Sequence, residues 1–385
     1  MWYNQNMRLI TILVLVFCIF FAHKLEARTI FTPPASYGLG NHIRVLIVPG
    51  HDDENSGAVY KEVREEDMTL MLAKEVESIL EMNPQISADL TRRDEGYIIE
   101  LQEYFEEEKN EIEDFIQEHI EETEEMIEDG EIEVGEQVTH NDAPNDVAFR
   151  LYAINKWAKE EKYDFVVHLH YNDAVPRKVD EVGEFSGYSV YIPDGYLLNA
   201  EVSRPLGEAI SRNLSKSIYA SNNPVESKYA LDDGVIEDFK LIAVGSNRTL
   251  TLPSILVEYS YISEPILYGK SESMMRSMLA HATSNGINEY LMGVPNTSKN
   301  LSYVFTEKLQ YKQKDTLDIT ALQFALSELG FYPPVGKTEV DCPVTEYFGP
   351  CTKGAVMAFQ TSRGLVSDGI VGVKTRDMLN YEFGR

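Results

Sequence analysis

The stretch YDFVVHLHYND, residues 163 to 173, sets two histidines two positions apart in an apolar run. In an extended chain, side chains at i and i+2 share a face, so His168 and His170 project together, with Asn172 beyond them. His51 closes a second apolar run, IRVLIVPGH, and acidic residues follow it. Glu258 closes a third, SILVE. Imidazole nitrogen and carboxylate oxygen are the donors of a catalytic zinc site, which takes three from the protein and leaves a position for water. His51, an acidic residue after it and His170 make such a set. Each piece also has a plainer reading. A histidine after a strand is commonly just hydrogen-bonded, His168 packs in a core or supports its neighbour, and a glutamate in an apolar strand can be half of a structural ion pair.

Residues this far apart in sequence need a scaffold that gathers strand ends. Val45 to Val48 read as a buried strand stopped by Pro49-Gly50. REEDMTLMLAKEVESILE carries Met68, Met71, Leu72, Val76, Ile79 and Leu80 at helical spacing. ISADL reads as a short strand, AFRLYAINKWAKEEKYD as a helix feeding the histidine strand, and YSVYIP as a further strand. The helix AEVSRPLGEAISRNLSKSI, two strands LIAVG and SILVEYSYIS, and the long helix SESMMRSMLAHATSNGINEYLM complete the series. Strands alternating with helices predict an α/β fold, a mostly parallel sheet with helices on both faces. Ligands collect at the carboxyl ends of the strands in such sheets, which is where His51, His170 and Glu258 fall.

The chain has 385 residues and a formal charge of −29, which excludes nucleic acid as a partner, since phosphates need Lys and Arg. Much of that charge is local: residues 100 to 136 hold 18 Asp or Glu against the single Lys109. Ile112, Phe115, Ile116, His119, Ile120 and Ile127 recur there at roughly helical intervals, so the segment forms one or two amphipathic helices or stays partly disordered. A solvated helical excursion is its plain reading, and a cap over the site the sharper one. At the N-terminus, Arg8 precedes the apolar run LITILVLVFCIFFA. Its length suits a signal peptide ending near Ala27, although Leu25 stands where a small residue is wanted, so a retained membrane anchor stays open. An exported chain with two nearby cysteines, Cys342 and Cys351, predicts a disulfide between them.

Four blocks in order, VLIVPGHDDENSGA, REEDMTL, VVHLHYND and PSILVEYSYIS, resemble the signature blocks of zinc-dependent N-acetylmuramoyl-L-alanine amidases, over roughly residues 43 to 293. The resemblance implies one zinc ion held by His51, Glu65 and His170, with Glu258 as the catalytic glutamate. Glu66 is one residue away and Glu62 one turn back, so the middle ligand stays open among neighbours. The implied reaction is hydrolysis of the amide joining N-acetylmuramic acid to L-alanine in peptidoglycan. Zinc lowers the pKa of its water, and Glu258 takes the proton and returns it to the leaving amine. Two departures stand out. HDDENSGA replaces the family's usual Gly-Gly after the first histidine, and bulky Tyr171 replaces a small residue. A zinc peptidase acting elsewhere on the stem peptide, and a non-catalytic wall-binding protein, are the alternative readings.

Residues 295 to 315 read as a polar linker. Beyond it, ALQFALSELGFY and YFGPCTKGAVMAFQTSRGLVSDGIVGVKTRDML are similar to the three-helix peptidoglycan-binding domain, with Leu322, Leu326, Leu329, Val356, Phe359, Leu365, Ile370 and Leu379 as its expected core. The expected layout is an export segment at 1–27, a catalytic domain at 43–294 with an acidic insertion at about 100–140, the linker, and a binding domain at 316–385. Peptidoglycan is the expected partner, the cell envelope the expected location, periplasmic or extracellular, and any activator protein is left unnamed.

Overall fold

Ile43–Pro49 (β1) is buried at every position but Arg44, because helices cover the sheet on both faces and neither face can be polar. The computed structural model describes residues 42–140, 143–173, 177–231, 234–245, 251–301, 303–314, 316–338 and 341–384. The expected export segment, 1–27, lies outside the described residues. After β1 come a small hairpin, Val59–Tyr60 (β2) and Val63–Arg64 (β3), then the helix Glu65–Leu80 (α1) and the strand Ile86–Leu90 (β4). A second small hairpin, Arg92–Arg93 (β5) with Gly96–Tyr97 (β6), leads into helices Ile99–Glu107 (α2), Lys109–Glu128 (α3) and Asn145–Glu160 (α4). Phe165–Asn172 (β7), Ser189–Pro193 (β8), Ala200–Leu214 (α5), Pro224–Tyr229 (α6) and Val235–Asp238 (β9) follow. Ile242–Gly245 (α7), Ser254–Tyr261 (β10) and Glu272–Met292 (α8) end the first unit.

The main sheet runs β4-β1-β7-β10-β8-β9, and every neighbouring pair is parallel except β10 with β8. One face, with Val45, Ile47, Phe165, Val167 and Leu169, packs on α1, α5 and α8 through Leu72, Val76, Ile210 and Leu279. The other face packs Leu46, Val48 and Val166 on Leu101, Ile154 and Trp157 of α2 and α4. Farther along it, Tyr191, Ile236 and Leu256 meet Ala243 and Val244 of α7 together with Val138. At roughly 25 cal/mol per Å², each of these larger buried side chains contributes about 1.5–3 kcal/mol.

The structure corrects two expectations and decides a third, the acidic segment, in favour of helices over disorder. LIAVG is not a strand: the Asp238 carboxylate accepts the N–H groups of Lys240 (2.8 Å) and Leu241 (2.7 Å) and turns the chain into α7. The edge strand is instead Val235–Asp238, whose two acids mask its apolar pair. The acidic segment is helical from Ile99 to Glu128, anchored on α4 by Phe115 and His119 against Tyr152. The linker, finally, is packed: Asn300, Leu301, Phe305 and Leu309 are buried. Asn300 donates through Nδ2 to Asn213 O (3.0 Å) and Ser217 Oγ (3.1 Å), and its backbone N–H reaches the Glu328 carboxylate (2.8 Å).

The C-terminal unit comprises Leu317–Glu328 (α9), Pro350–Ser362 (α10) and Val373–Glu382 (α11). Leu322, Leu326, Val356, Phe359 and Leu379 form its core, while Leu329, Leu365 and Ile370 are half-buried. Two buried glutamines at matching places tie its loops: Gln323 to Tyr347 O, Thr352 and Thr345 N–H, and Gln360 to Ile370 O, Thr375 and Gly369 N–H. Cys342 and Cys351 are joined by a disulfide, as their spacing predicts. Phe324, Pro343 and Val344 of this unit share a small cavity with Tyr219, Tyr259 and Leu279 of the first, so the bundle sits on the α5/α8 face.

Candidate active site

His51 leaves β1 with a left-handed backbone, φ 64°, a conformation that non-glycine residues hold only where the surroundings impose it. The residue before it must be glycine for a steric reason. A Cβ on Gly50 would lie 2.4 Å from Cε1 of His170, inside the ring's own space. Gly57 (φ +71°) has the same duty on the other side, where a Cβ would meet His51 Cδ2 at 2.5 Å and Glu65 Oε2 at 2.6 Å.

Glu65 opens α1, with its backbone N–H on Ala58 O (2.9 Å). Its carboxylate is buried and fully engaged. Oε2 accepts the Ala58 N–H (3.0 Å) and lies 3.1 Å from His51 Nε2. Oε1 accepts the Tyr171 N–H (3.0 Å) and lies 3.1 Å from His170 Nδ1. The two imidazole rings stand edge to face, 5.0 Å apart at 75°. Burial opposes ionisation of Glu65, but the hydrogen bonds and charges of His170 and His51 outweigh it and hold the carboxyl far below its ordinary range. Burial likewise opposes protonation of His51, and Glu65 overrides it and raises that pKa. At His170 burial wins, and the pKa falls.

One donor atom from each of His51, Glu65 and His170 lies within 4.8 Å of the others, a group able to hold a metal ion. Two imidazoles and one carboxylate match the donor chemistry of a catalytic zinc site. Glu66 is turned away, with Oε1 on Arg64 at 2.7 Å, and Glu62 is exposed in the β2–β3 turn. Asp52 also points elsewhere. It accepts N–H groups of Glu54 and Asn55 and the Tyr97 hydroxyl, and lies 3.3 Å from Arg150 Nε. Asp52 therefore braces the loop through Arg150, which also binds Glu54 and Asp146 (2.7 Å each).

Glu258 pairs in register with His170 on β7 and Ser189 on β8, so these three side chains share a face. Its Oε2 is buried without a hydrogen-bond partner among the described residues. Burial, then the negative charges of Glu65 and Glu226, push its pKa well above the carboxylate range. No structural ion pair holds Glu258 among the described residues, so the plain reading of this glutamate does not apply. His168 shares the face but belongs to the core. It is fully buried opposite Val48 and Leu256, neither nitrogen is hydrogen-bonded, and burial drives its pKa down to about 3. Tyr171 packs inward on Tyr259.

The sequence reading missed Glu226. From α6 it reaches Asn172 Nδ2 (2.6 Å), Ser189 Oγ (3.0 Å) and the hydroxyls of Tyr191 (3.0 Å) and Tyr261 (2.9 Å), every one of them a donor. Its sequence signal was the start of that helix, Asn-Pro with a glutamate at the third helical position, where Asn223 caps the Val225 N–H.

His51, Asp52 and His170 line a cleft of about 1070 Å³. Its lining also takes in Gly57, residues 135 to 140, Ile242 and Ala243. The chain after α3 thus forms part of the cleft wall, while α3 itself does not line the cleft. This strap is held by Val138 in the core, Glu136 on Lys228 (2.8 Å), Gln137 Oε1 on the Phe239 N–H (3.0 Å) and His140 Nε2 on buried Asp238 (2.7 Å).

Among proteins of known structure, the chain is similar to the N-acetylmuramoyl-L-alanine amidase AmiC2 of Nostoc punctiforme, at 20% identity over 65% of this chain and 97% of that one, TM-score 0.38. It is also similar to the N-acetylmuramoyl-L-alanine amidase from Clostridium difficile 630, at 16% identity over 66% and 98%, TM-score 0.39. The catalytic domain of CwlV, an N-acetylmuramoyl-L-alanine amidase from Bacillus (Paenibacillus) polymyxa var. colistinus, gives 19% over 65% and 98%, TM-score 0.38. No curated protein sequence matches. The N-acetylmuramoyl-L-alanine amidase family model matches residues 45–289, and the putative peptidoglycan binding domain model matches residues 316–379. Matched over more than half of its length, the chain belongs to the N-acetylmuramoyl-L-alanine amidase family, which hydrolyses an amide of peptidoglycan, and it carries a C-terminal peptidoglycan-binding domain.

Proposed function

We propose that this amidase works with a single zinc ion held by His51, Glu65 and His170, and that Glu258 is its general base. The observation that carries the reading is the buried Glu65 carboxylate facing both imidazoles, with the unpartnered Glu258 Oε2 on the adjoining strand. Bound there, zinc would supply a Lewis acid that activates water at neutral pH, polarises the amide carbonyl and favours the ionised form of Glu258. The protein's own part is to hold charge and move a proton. Glu65 brings a permanent negative charge, since its pKa lies far below neutrality. Glu258 takes a proton from the attacking water and delivers it to the alanine nitrogen as the carbon–nitrogen bond breaks, leaving an intact stem peptide with a free amino terminus. The cleft behind His51 and His170 is large enough for a muramyl peptide, and the low dielectric around Glu258 strengthens its pull on that proton.

We further assign residues 43–294 to the catalytic unit, with the acidic insertion at about 100–140, and 316–385 to wall binding. Residues 1–27 would export the chain to the cell envelope, as a cleaved signal or a retained anchor. Among the described residues no helix is long and apolar enough to cross a membrane. The test is digestion of purified peptidoglycan by the whole protein, with and without a chelator. New L-alanine amino termini that vanish on chelation and return with zinc are expected. Cleavage within the stem peptide, or chelator-insensitive release, refutes the reading.

A further inference from the structure

Arg92 is a buried cation that the proposed reaction does not use. It lies on β5, and among the described residues no carboxylate stands within ion-pair distance of it. Its hydrogen bonds go almost entirely to backbone carbonyls. Nη2 donates to Gly50 O (2.9 Å), Glu66 O (2.8 Å) and Thr69 Oγ1 (3.1 Å), and Nε donates to Pro49 O (3.3 Å). The Thr69 hydroxyl in turn donates to Gly50 O (2.8 Å). Removing a guanidinium from water is costly unless acceptors replace its hydration, and here the acceptors come from two particular places. Pro49 and Gly50 form the turn that presents His51. Glu66 and Thr69 belong to the first turns of α1, next to Glu65.

The geometry assigns Arg92 the part of a positioning residue for the metal ligands: one guanidinium fastens the His51 turn to the start of the Glu65 helix. The assignment rests on the reading that His51, Glu65 and His170 hold a metal. The third ligand strand joins at the same point, because the Gly50 N–H donates to Leu169 O (2.8 Å) of β7, one residue before His170. The Gly50 peptide is thus held by its N–H to the His170 strand and by its C=O to Arg92 and Thr69. His51 follows directly in its left-handed conformation, which a loosened Gly50 would no longer impose. Neighbouring Arg93 has no such place. It points to the surface and pairs with Glu77, so it serves as an internal control.

The experiment compares the full chain with its Arg92→Met, Arg92→Lys, Thr69→Val and Arg93→Met variants. Zinc affinity is measured by competition with a chromophoric chelator, the fold by circular dichroism of the metal-free proteins, and ligand geometry by the visible spectrum after loading with cobalt(II). Supporting groups behind metal ligands typically change metal affinity by about 10- to 100-fold, and a loss in that range is expected for folded Arg92→Met, with an altered cobalt spectrum. Arg92→Lys should recover part of the affinity, because an ammonium can reach one of the carbonyls. Thr69→Val should lose less than Arg92→Met, and Arg93→Met nothing. If Arg92→Met fails to fold, Arg92→Lys and Thr69→Val decide. Folded variants at position 92 or 69 with wild-type zinc affinity and an unchanged cobalt spectrum overturn the assignment. A wild-type chain that takes up no zinc refutes the underlying metal reading instead, so the two failures are distinguishable.

Discussion

Replacing His168 by leucine should flatten the loss of stability that this protein suffers in acid. The imidazole is fully buried between Val48 and Leu256, neither nitrogen is hydrogen-bonded, and its pKa is driven from 6.5 to about 3. Between those values the unfolded chain binds a proton that the folded chain refuses. Stability therefore falls as pH drops from 6.5 toward 3 and is unaffected by this group above that window. At about 1.36 kcal/mol per pH unit, the full window is worth roughly 5 kcal/mol, and at pH 5 about 2 kcal/mol is already lost. Leucine is close to histidine in volume, suits its apolar neighbours and does not titrate. Urea unfolding of both proteins in chelator, at pH 8 and pH 5, isolates the effect, because Glu65, His51 and His170 titrate in both and cancel in the difference. The wild type should lose about 2 kcal/mol more than His168→Leu between the two pH values. At pH 8 the variant should be at least as stable, since it deletes two unsatisfied polar atoms. Equal losses would mean that the folded protein charges His168 as readily as the unfolded chain, and the account of a dry, unpaired imidazole would be wrong.

Other expectations concern the centre and the strap that lines its cleft. Gly50→Ala places a methyl group 2.4 Å from the His170 ring, so it should cost about 1–3 kcal/mol of stability and weaken zinc uptake sharply, read by thermal unfolding and metal titration. Glu258→Gln should leave fold and zinc content unchanged, because the amide is isosteric. Its kcat, read from released alanine amino termini, should fall by about 10²- to 10⁴-fold, and unimpaired turnover would dismiss Glu258 as the base. His140→Ala removes the partner of the fully buried Asp238 Oδ2 and should destabilise by about 1–3 kcal/mol in thermal unfolding. Because His140 also lines the cleft, KM should change more than kcat in the same variant, and a kcat effect alone would count against the strap as a substrate-contacting wall.

The sheet was legible because strands buried on both faces must be apolar throughout, and four of its six strands announce themselves in that way. LIAVG was not, since a short apolar run suits a strand or a helical turn equally, and the choice fell to the Asp238 carboxylate seven residues before its end. The two imidazoles of the proposed metal site could be read from their strand ends. The carboxylate among Glu62, Glu65 and Glu66 could not, because composition there is uniform and only the first helical position faces both rings. Charge hid two further features. A run of acids reads as solvated surface, yet its tail is folded against the cleft by buried Val138 and by the polar contacts of Glu136, Gln137 and His140. The polar stretch from 295 onward reads as a free tether, yet its Asn300 donates to Asn213 O of α5 and to the Glu328 carboxylate, accepts from Asn285 of α8, and is buried. That last difference alters how the wall-binding unit can help catalysis. A flexible tether raises local substrate concentration in all directions within its reach, by an amount set by its length. A unit docked on the α5/α8 face, with the cleft on the opposite face of the sheet, removes that freedom and offers the wall at one fixed angle. The advantage it confers then depends on whether the polymer it grips can also wrap to the far side, so it should be larger on intact sacculi than on short soluble fragments.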